Sequence, residues 1–241
     1  MHSRKDGTIV NTVKGSYNTS RTTNHGNYNT TYNNHYYGTS DQETSSAALL
    51  SRAAFSALHD SEARYPQPNV LPGTRRRILQ ELTDWVEDRS TDKSRVYWVY
   101  GAAGVGKSAI AQALSEKYTQ TQQLAAAFFF SRNDASRDKL GPFIPTIAYQ
   151  HLISRTLKPL LGPLVDYTIR SMPEIWEKIW EQQFKGIIQE PWAQVDPRRW
   201  ATLPRLVIID GVDECVDVTS QRRLLKTIQA CTPSPPRLLD I

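Results

Sequence analysis

Gly101-Ala102-Ala103-Gly104-Val105-Gly106-Lys107-Ser108 is the stretch on which the reading of this chain turns. It satisfies G-x-x-x-x-G-K-[ST], the phosphate-binding loop (P-loop) pattern, at every fixed position. Upstream, Val96-Tyr97-Trp98-Val99-Tyr100 is β-branched and aromatic and reads as a buried strand. Downstream, Ala109 to Tyr118 carries Ile110, Ala113, Leu114 and Tyr118 at helical spacing. Strand, glycine loop and helix give the pattern a mechanism. The glycines let successive N–H groups curl around an anion, and the helix N-terminus adds positive partial charge. In that arrangement residues Gly101, Ala102, Ala103, Gly104, Val105, Gly106, Lys107 and Ser108 bind the nucleotide. Lys107 reaches the β/γ-phosphates and the Ser108 hydroxyl ligates Mg²⁺.

A second signal follows about a hundred residues later. Leu206-Val207-Ile208-Ile209 is a continuous apolar run, the signature of a central strand in a parallel sheet covered on both faces. It ends in Asp210-Gly211-Val212-Asp213-Glu214. A carboxylate at the C-terminal end of such a strand is where a P-loop enzyme holds Mg²⁺, so Asp210 is the candidate Walker B aspartate and metal ligand. Gly211 permits close backbone approach. Glu214, with Asp213 as runner-up, is placed to orient or deprotonate a water near the γ-phosphate and is the candidate catalytic base.

The 241 residues suffice for one α/β domain with extensions. A net charge of +5 leaves few dense basic runs. The densest, Arg75-Arg76-Arg77, falls at a helix start and reads as a solvated face, so no nucleic-acid partner is expected. Cys215 and Cys231 show no C-x-x-C spacing, which favours a reducing compartment over a disulfide framework or zinc site. No apolar stretch approaches the length of a membrane span, and the N-terminus is too polar for a signal peptide. A cytoplasmic protein without a membrane partner is the expectation.

Residues 1–43 form a separate low-complexity segment rich in Asn, Thr, Tyr and Gly. Gly15-Ser16-Tyr17-Asn18-Thr19 recurs as Gly26-Asn27-Tyr28-Asn29-Thr30. With little apolar area to offset ordering entropy, disorder is the default. The alternative is self-assembly into a homo-oligomer or fibre through stacked strands with amide ladders. Residues 44–74 read as a short helix, 46–58 with Ala47, Leu50, Ala54 and Leu58 on one side, and a proline-punctuated linker. Thr74 is expected to cap a helix through Asp88 with Ile78, Leu79, Leu82, Trp85 and Val86 inward. Leu124 to Phe130 reads as the second strand. Helices are expected at 143–155, 159–170 and 174–189. The last opens on a capping box, Ser171-Met172-Pro173-Glu174, and its Trp176, Ile179, Trp180 and Ile187 read as core. Thr219 or Ser220 starts a helix to about Ala230.

The chain resembles a fungal NACHT domain of the STAND class of signal-transducing P-loop NTPases, the group of the NOD-like receptors. Beside the two nucleotide motifs, Phe128-Phe129-Phe130-Ser131-Arg132 and Pro145-Thr146-Ile147-Ala148-Tyr149-Gln150 carry the likeness, as does the lead-in from His59-Asp60-Ser61 through Leu71-Pro72-Gly73-Thr74-Arg75. It covers about residues 59 to 235. The resemblance implies an ATP- or GTP-dependent switch between a closed monomer and an open oligomer, with the N-terminal segment in the effector position. It also implies a further strand and sensor after Walker B, where this sequence stops near Arg237-Leu238-Leu239-Asp240-Ile241. Residues 75–241 are thus expected to form an α/β, three-layer P-loop NTPase domain with a parallel sheet, truncated at its C-terminus. The expected ligand is ATP or GTP with Mg²⁺, and slow hydrolysis is the expected activity. A non-catalytic module acting through N-terminal self-assembly is the competing reading. A small-molecule kinase is disfavoured because no second substrate-binding lid is evident.

Overall fold

The computed structural model describes residues 9–13, 16–25, 28–35, 45–88, 95–230 and 237–240, and the chain divides into two units, Met1–Thr44 and Ser45–Ile241. The first unit holds three antiparallel strands, β1 (Ile9–Val13), β2 (Ser16–His25) and β3 (Tyr28–His35), with β2 in the middle. Across β2 and β3, Thr22 pairs with Thr31, Thr23 with Thr30 and Asn24 with Asn29. Their composition withholds a core, but Thr and Tyr suit a pleated backbone. Only Lys14-Gly15 and Gly26-Asn27 separate the strands in sequence, a length that fixes hairpin register. The two Tyr-Asn-Thr copies lie at the starts of β2 and β3, while their glycines lie outside the described residues.

The second unit runs α1 (Ser45–Leu50), α2 (Arg76–Glu87), β4 (Val96–Trp98), α3 (Lys107–Gln120), β5 (Leu124–Phe129), α4 (Phe143–Ile153), α5 (Lys158–Ser171), α6 (Trp180–Phe184), α7 (Glu190–Ala193), β6 (Leu206–Asp210), α8 (Val218–Ala230) and β7 (Arg237–Asp240). Its four strands are all parallel, in the order β4-β7-β6-β5. Parallel neighbours need crossovers, and the helices between strands supply them. β6 lies between two strands and is buried along its whole length, as its apolar run foretells.

Side-chain alternation divides the sheet between two cores. Ala127, Phe129, Leu206 and Ile208 pack with Leu82 and Trp85 of α2 and Ile110 and Leu114 of α3. Phe128, Val207 and Ile209 pack with Ile144 of α4, Leu161 of α5 and Ile228 of α8. A layer of helices therefore lies on each face of a small parallel sheet. Each fully buried Ile or Phe contributes roughly 1.5–3 kcal/mol, so this double coverage is what holds β6 in place.

Several local expectations are corrected. Strand β4 spans Val96–Trp98 at an edge, with Trp98 and Tyr100 exposed, so it is not the buried run to Tyr100 that its side chains imply. The helix expected over 46–58 stops at Leu50, and its buried residues are Ser45, Ala48 and Leu49. Beyond it the chain extends so that the Ala54 N–H donates to Thr146 Oγ1 at 2.8 Å. Thr74 caps nothing; its hydroxyl donates to the Leu71 carbonyl, and α2 begins after Arg75. The long helix at 174–189 is broken. A 3₁₀ turn over Pro173–Glu177 precedes α6, which passes through a π turn, Lys185–Gln189, into α7. Ser171 belongs to α5 and bonds back to the Thr168 carbonyl, so no capping box forms. Trp180 and Ile187 are core, whereas Ile179 is exposed. Helix α8 is capped by Asp217, whose carboxylate accepts from the N–H groups of Thr219 and Ser220, not by those residues. The final residues near which the sequence stops form β7, seated between β4 and β6.

Candidate functional site

Between β4 and α3 the chain turns through Gly104 at φ +79° and Gly106 at φ +87°, a region that L side chains rarely enter. Helix α3 starts immediately after, at Lys107. The first N–H groups of a helix have no intrahelical partner, so the turn ends in a cluster of backbone donors. Lys107 Nζ folds back over the turn and donates to the carbonyls of Gly101 at 3.1 Å and Ala102 at 3.4 Å. Residues Gly101 to Val105 are exposed, and Gly106 to Ala109 are half-buried.

Strand β6 brings Asp210 to the base of this turn. Asp210 is buried, and Ser108 and Lys107 stand close enough to act on its carboxylate. Burial pushes the carboxyl up to about 6, opposed by the nearby Ser108 hydroxyl and the charges of Arg64 and Lys107, while Glu214 adds to the rise. The loop and the acidic turn thus meet: Lys107, Ser108, Asp210 and Glu214 share one neighbourhood. Asp213 does not join them. Its side chain is exposed, and its contribution is a backbone carbonyl that accepts from Arg132 Nη2 at 3.2 Å.

Gly211 permits a close approach between the chain leaving β6 and the end of β5. It sits at φ +73°, and a Cβ there would stand 3.2 Å from the Phe130 carbonyl. The Phe130 N–H meanwhile donates to the Asp210 carbonyl at 2.9 Å.

Two arginines at the site escape a motif reading. Arg64 sits in a short turn of the lead-in, with its guanidinium 3.5 Å from the Phe129 ring centroid. It donates to the His59 carbonyl at 2.9 Å and to Gln112 Oε1 of α3 at 2.8 Å. Burial lowers it to about 10, with the Asp210 charge pulling the other way, so it is a cation at neutral pH. Arg75, at φ +56° ahead of α2, donates to the Val105 carbonyl. In the sequence Arg64 falls in the lead-in and Arg75 in a basic run that reads as a solvated face, and neither is given a role at the site. Beside the loop lies a cavity of about 350 Å³, lined by Asn69, Val70, Leu71, Thr74, Arg75 and Gly104 among others.

Among the described residues no group of three or more His, Cys, Asp or Glu side chains could hold a metal ion. The donors at the site are one hydroxyl and one carboxylate. That set fits Mg²⁺, which keeps several waters and takes phosphate oxygens beside one or two carboxylates. It does not fit an all-protein metal cage.

No helix of the described residues is long and apolar enough to cross a membrane. A family model described as Nephrocystin 3, N-terminal, matches residues 73–239, well over half of the chain. No curated protein and no solved structure matches it.

Proposed function

The chain belongs to the nephrocystin 3 N-terminal family, and from that premise we propose that its second unit is a three-layer P-loop domain that binds a nucleoside triphosphate as a signalling switch. The observation that carries this reading is a buried carboxylate, Asp210, with Ser108 and Lys107 beside it, beneath a strand–glycine turn–helix unit. An isolated glycine turn needs no buried carboxylate beneath it. Such a carboxylate costs stability unless something offsets its charge.

In this reading the turn and the α3 N-terminus receive the phosphates, and Lys107 leaves its two carbonyls to neutralise them. Ser108 and Asp210 hold Mg²⁺, which supplies charge neutralisation at the phosphate oxygens. Glu214 orients the attacking water, which makes slow hydrolysis the expected activity. The cavity between the lead-in and the loop, with Asn69, Thr74 and Arg75 as its polar side chains, is the seat for the base of ATP or GTP. The likeness to fungal NACHT domains adds the switch itself, in which nucleotide state governs assembly in the cytoplasm.

Calorimetry of the full chain with Mg·ATP and Mg·GTP tests the reading. Lys107→Ala removes a charge-assisted contact worth roughly 1.5–3 kcal/mol, so affinity is expected to fall about ten- to a hundredfold with the fold unchanged. Unaltered affinity would sink the assignment. A second reading, an interaction module acting through its N-terminus, draws on the paired strands of residues 9–35. It predicts assembly of the full chain without nucleotide.

A further inference from the structure

The run Phe128 to Arg132 carries the strand β5 past its last sheet residue and up against the acidic turn, and the contacts between the two are specific. The Phe130 N–H donates to the Asp210 carbonyl at 2.9 Å, continuing the ladder by one rung. Two residues on, the Arg132 N–H donates to Glu214 Oε2 at 3.2 Å. Arg132 Nη2 donates to the Asp213 carbonyl at 3.2 Å. The turn itself is tight: the Glu214 N–H donates to the Gly211 carbonyl at 2.7 Å.

The loop that bears Arg132 is braced from within. Asp134 accepts from the Ser136 N–H and hydroxyl and from Arg137 Nε, which holds its carboxyl down at about 2. Arg137, buried, donates onward to the Phe129 carbonyl at 3.1 Å. The far end of the acidic turn is pinned to the same loop, since the Val216 N–H donates to the Asp138 carbonyl at 2.9 Å. Residues 131–138 thus grip the acidic turn at both ends.

We propose that Arg132 is the positioning residue for Glu214: its N–H fixes the carboxylate and its guanidinium fixes the peptide before it. The proposal rests on the nucleotide reading of the site. A glutamate at the end of a turn has three side-chain rotors, and orienting a water requires one placement among many. The N–H alone holds one oxygen. The guanidinium bond to Asp213 stops the turn from rolling, which turns a single tether into a fixed geometry. Lys107, Ser108 and Asp210 do not depend on that contact, so phosphate and metal binding stay separate from it.

The test compares wild type, Arg132→Ala, Arg132→Lys and Glu214→Gln in the full chain. Arg132→Ala is expected to lower kcat about tenfold while KM and the directly measured Mg·nucleotide affinity stay within about twofold of wild type. Arg132→Lys restores part of the loss. In the Glu214→Gln background, Arg132→Ala costs nothing more. Independently of turnover, amide exchange at Glu214 to Val216 quickens in Arg132→Ala, while exchange in α3 and β6 does not. Unchanged kcat and unchanged exchange with binding intact overturn the role of Arg132 alone. A loss of affinity and melting temperature together makes Arg132 a structural brace and also overturns it. A wild-type chain that binds nucleotide without turnover overturns it too. Failure of the wild type to bind Mg·ATP or Mg·GTP overturns the nucleotide reading beneath it.

Discussion

Strand β2 reads Ser-Tyr-Asn-Thr-Ser-Arg-Thr-Thr-Asn-His, whereas β6 reads Leu-Val-Ile-Ile-Asp. Both are central strands, one in an antiparallel sheet of neighbours in sequence, the other in a parallel sheet of strands far apart in sequence. The first is organised by short connections and backbone pairing, since its composition offers little apolar area to bury. The second is organised by burial on both faces, and the ladder follows from where the helices place it. A sheet made by local register tolerates polar residues throughout. One made by burial admits a carboxylate only at its end, and that is where Asp210 sits.

The sharpest way to break this comparison is to remove apolar volume from one sheet and an equivalent side chain from the other. Ile208→Ala, at a wholly buried position, is expected to cost the second unit about 2–5 kcal/mol in denaturant unfolding. Thr22→Ala in β2 is expected to leave that transition within about 0.5 kcal/mol of wild type. Comparable shifts from both would mean that the units do not unfold independently.

Asp210 sharpens it next, because the role proposed for it and stability oppose each other there. Its folded pKa of about 6 lies above the ordinary 3.8, so near pH 5 the folded protein holds a proton that the unfolded chain has released. The associated stability is fully present below about pH 4 and is lost as pH rises through about 6. Asp210→Asn is therefore expected to be more stable than the metal-free wild type at pH 7.5, on the order of 3 kcal/mol, with no difference at pH 4. Urea titrations at the two pH values decide it. The same variant should weaken binding of the Mg²⁺ complex more than binding of free nucleotide.

Gly211→Ala comes third. A non-glycine residue at its φ of +73° costs roughly 1–2 kcal/mol, and the Phe130 carbonyl at 3.2 Å adds to that. Thermal melting should fall by several degrees, with the acidic turn opening first in amide exchange. The smallest effect is expected from Thr23→Pro. By the alternation of antiparallel pairs Thr23 lies opposite Thr30 at a hydrogen-bonded position, so proline there removes a ladder donor and should abolish amide protection in β2 and β3, yet leave nucleotide affinity unchanged. A change in affinity would tie the first sheet to the site.

What was legible in the sequence follows the same division. Leu206 to Asp210 was readable because burial on both faces leaves an apolar run, and the turn ahead of α3 because Gly104 and Gly106 take a positive φ that favours glycine. Val96 to Tyr100 looked equally apolar and proved an edge, since a side chain's composition does not say which strand lies beside it. Ser171 and Glu174 have the spacing of a cap, but Ser171 was already the last residue of α5. Arg64 and Arg132 reach the site from residues remote in sequence, through a stacking contact with Phe129 and through the meeting of β5 with the acidic turn. No local pattern encodes such contacts.

Gln150 of α4 has a consequence for the outer strand of the parallel sheet. Its side-chain amide accepts from the Ala127 N–H at 2.8 Å and donates to the Ala127 carbonyl at 2.9 Å, which are the two bonds another strand would make there. The amide is a forged rung, held in register by its own helix through the Thr146 carbonyl at 3.1 Å. A stray peptide arriving at β5 finds the middle of the edge already taken and must displace a buried amide before it can add a single residue. Asparagine, one methylene shorter, could not span the gap. One glutamine thereby sets the width of the sheet on that side and guards it against growth into a neighbouring molecule.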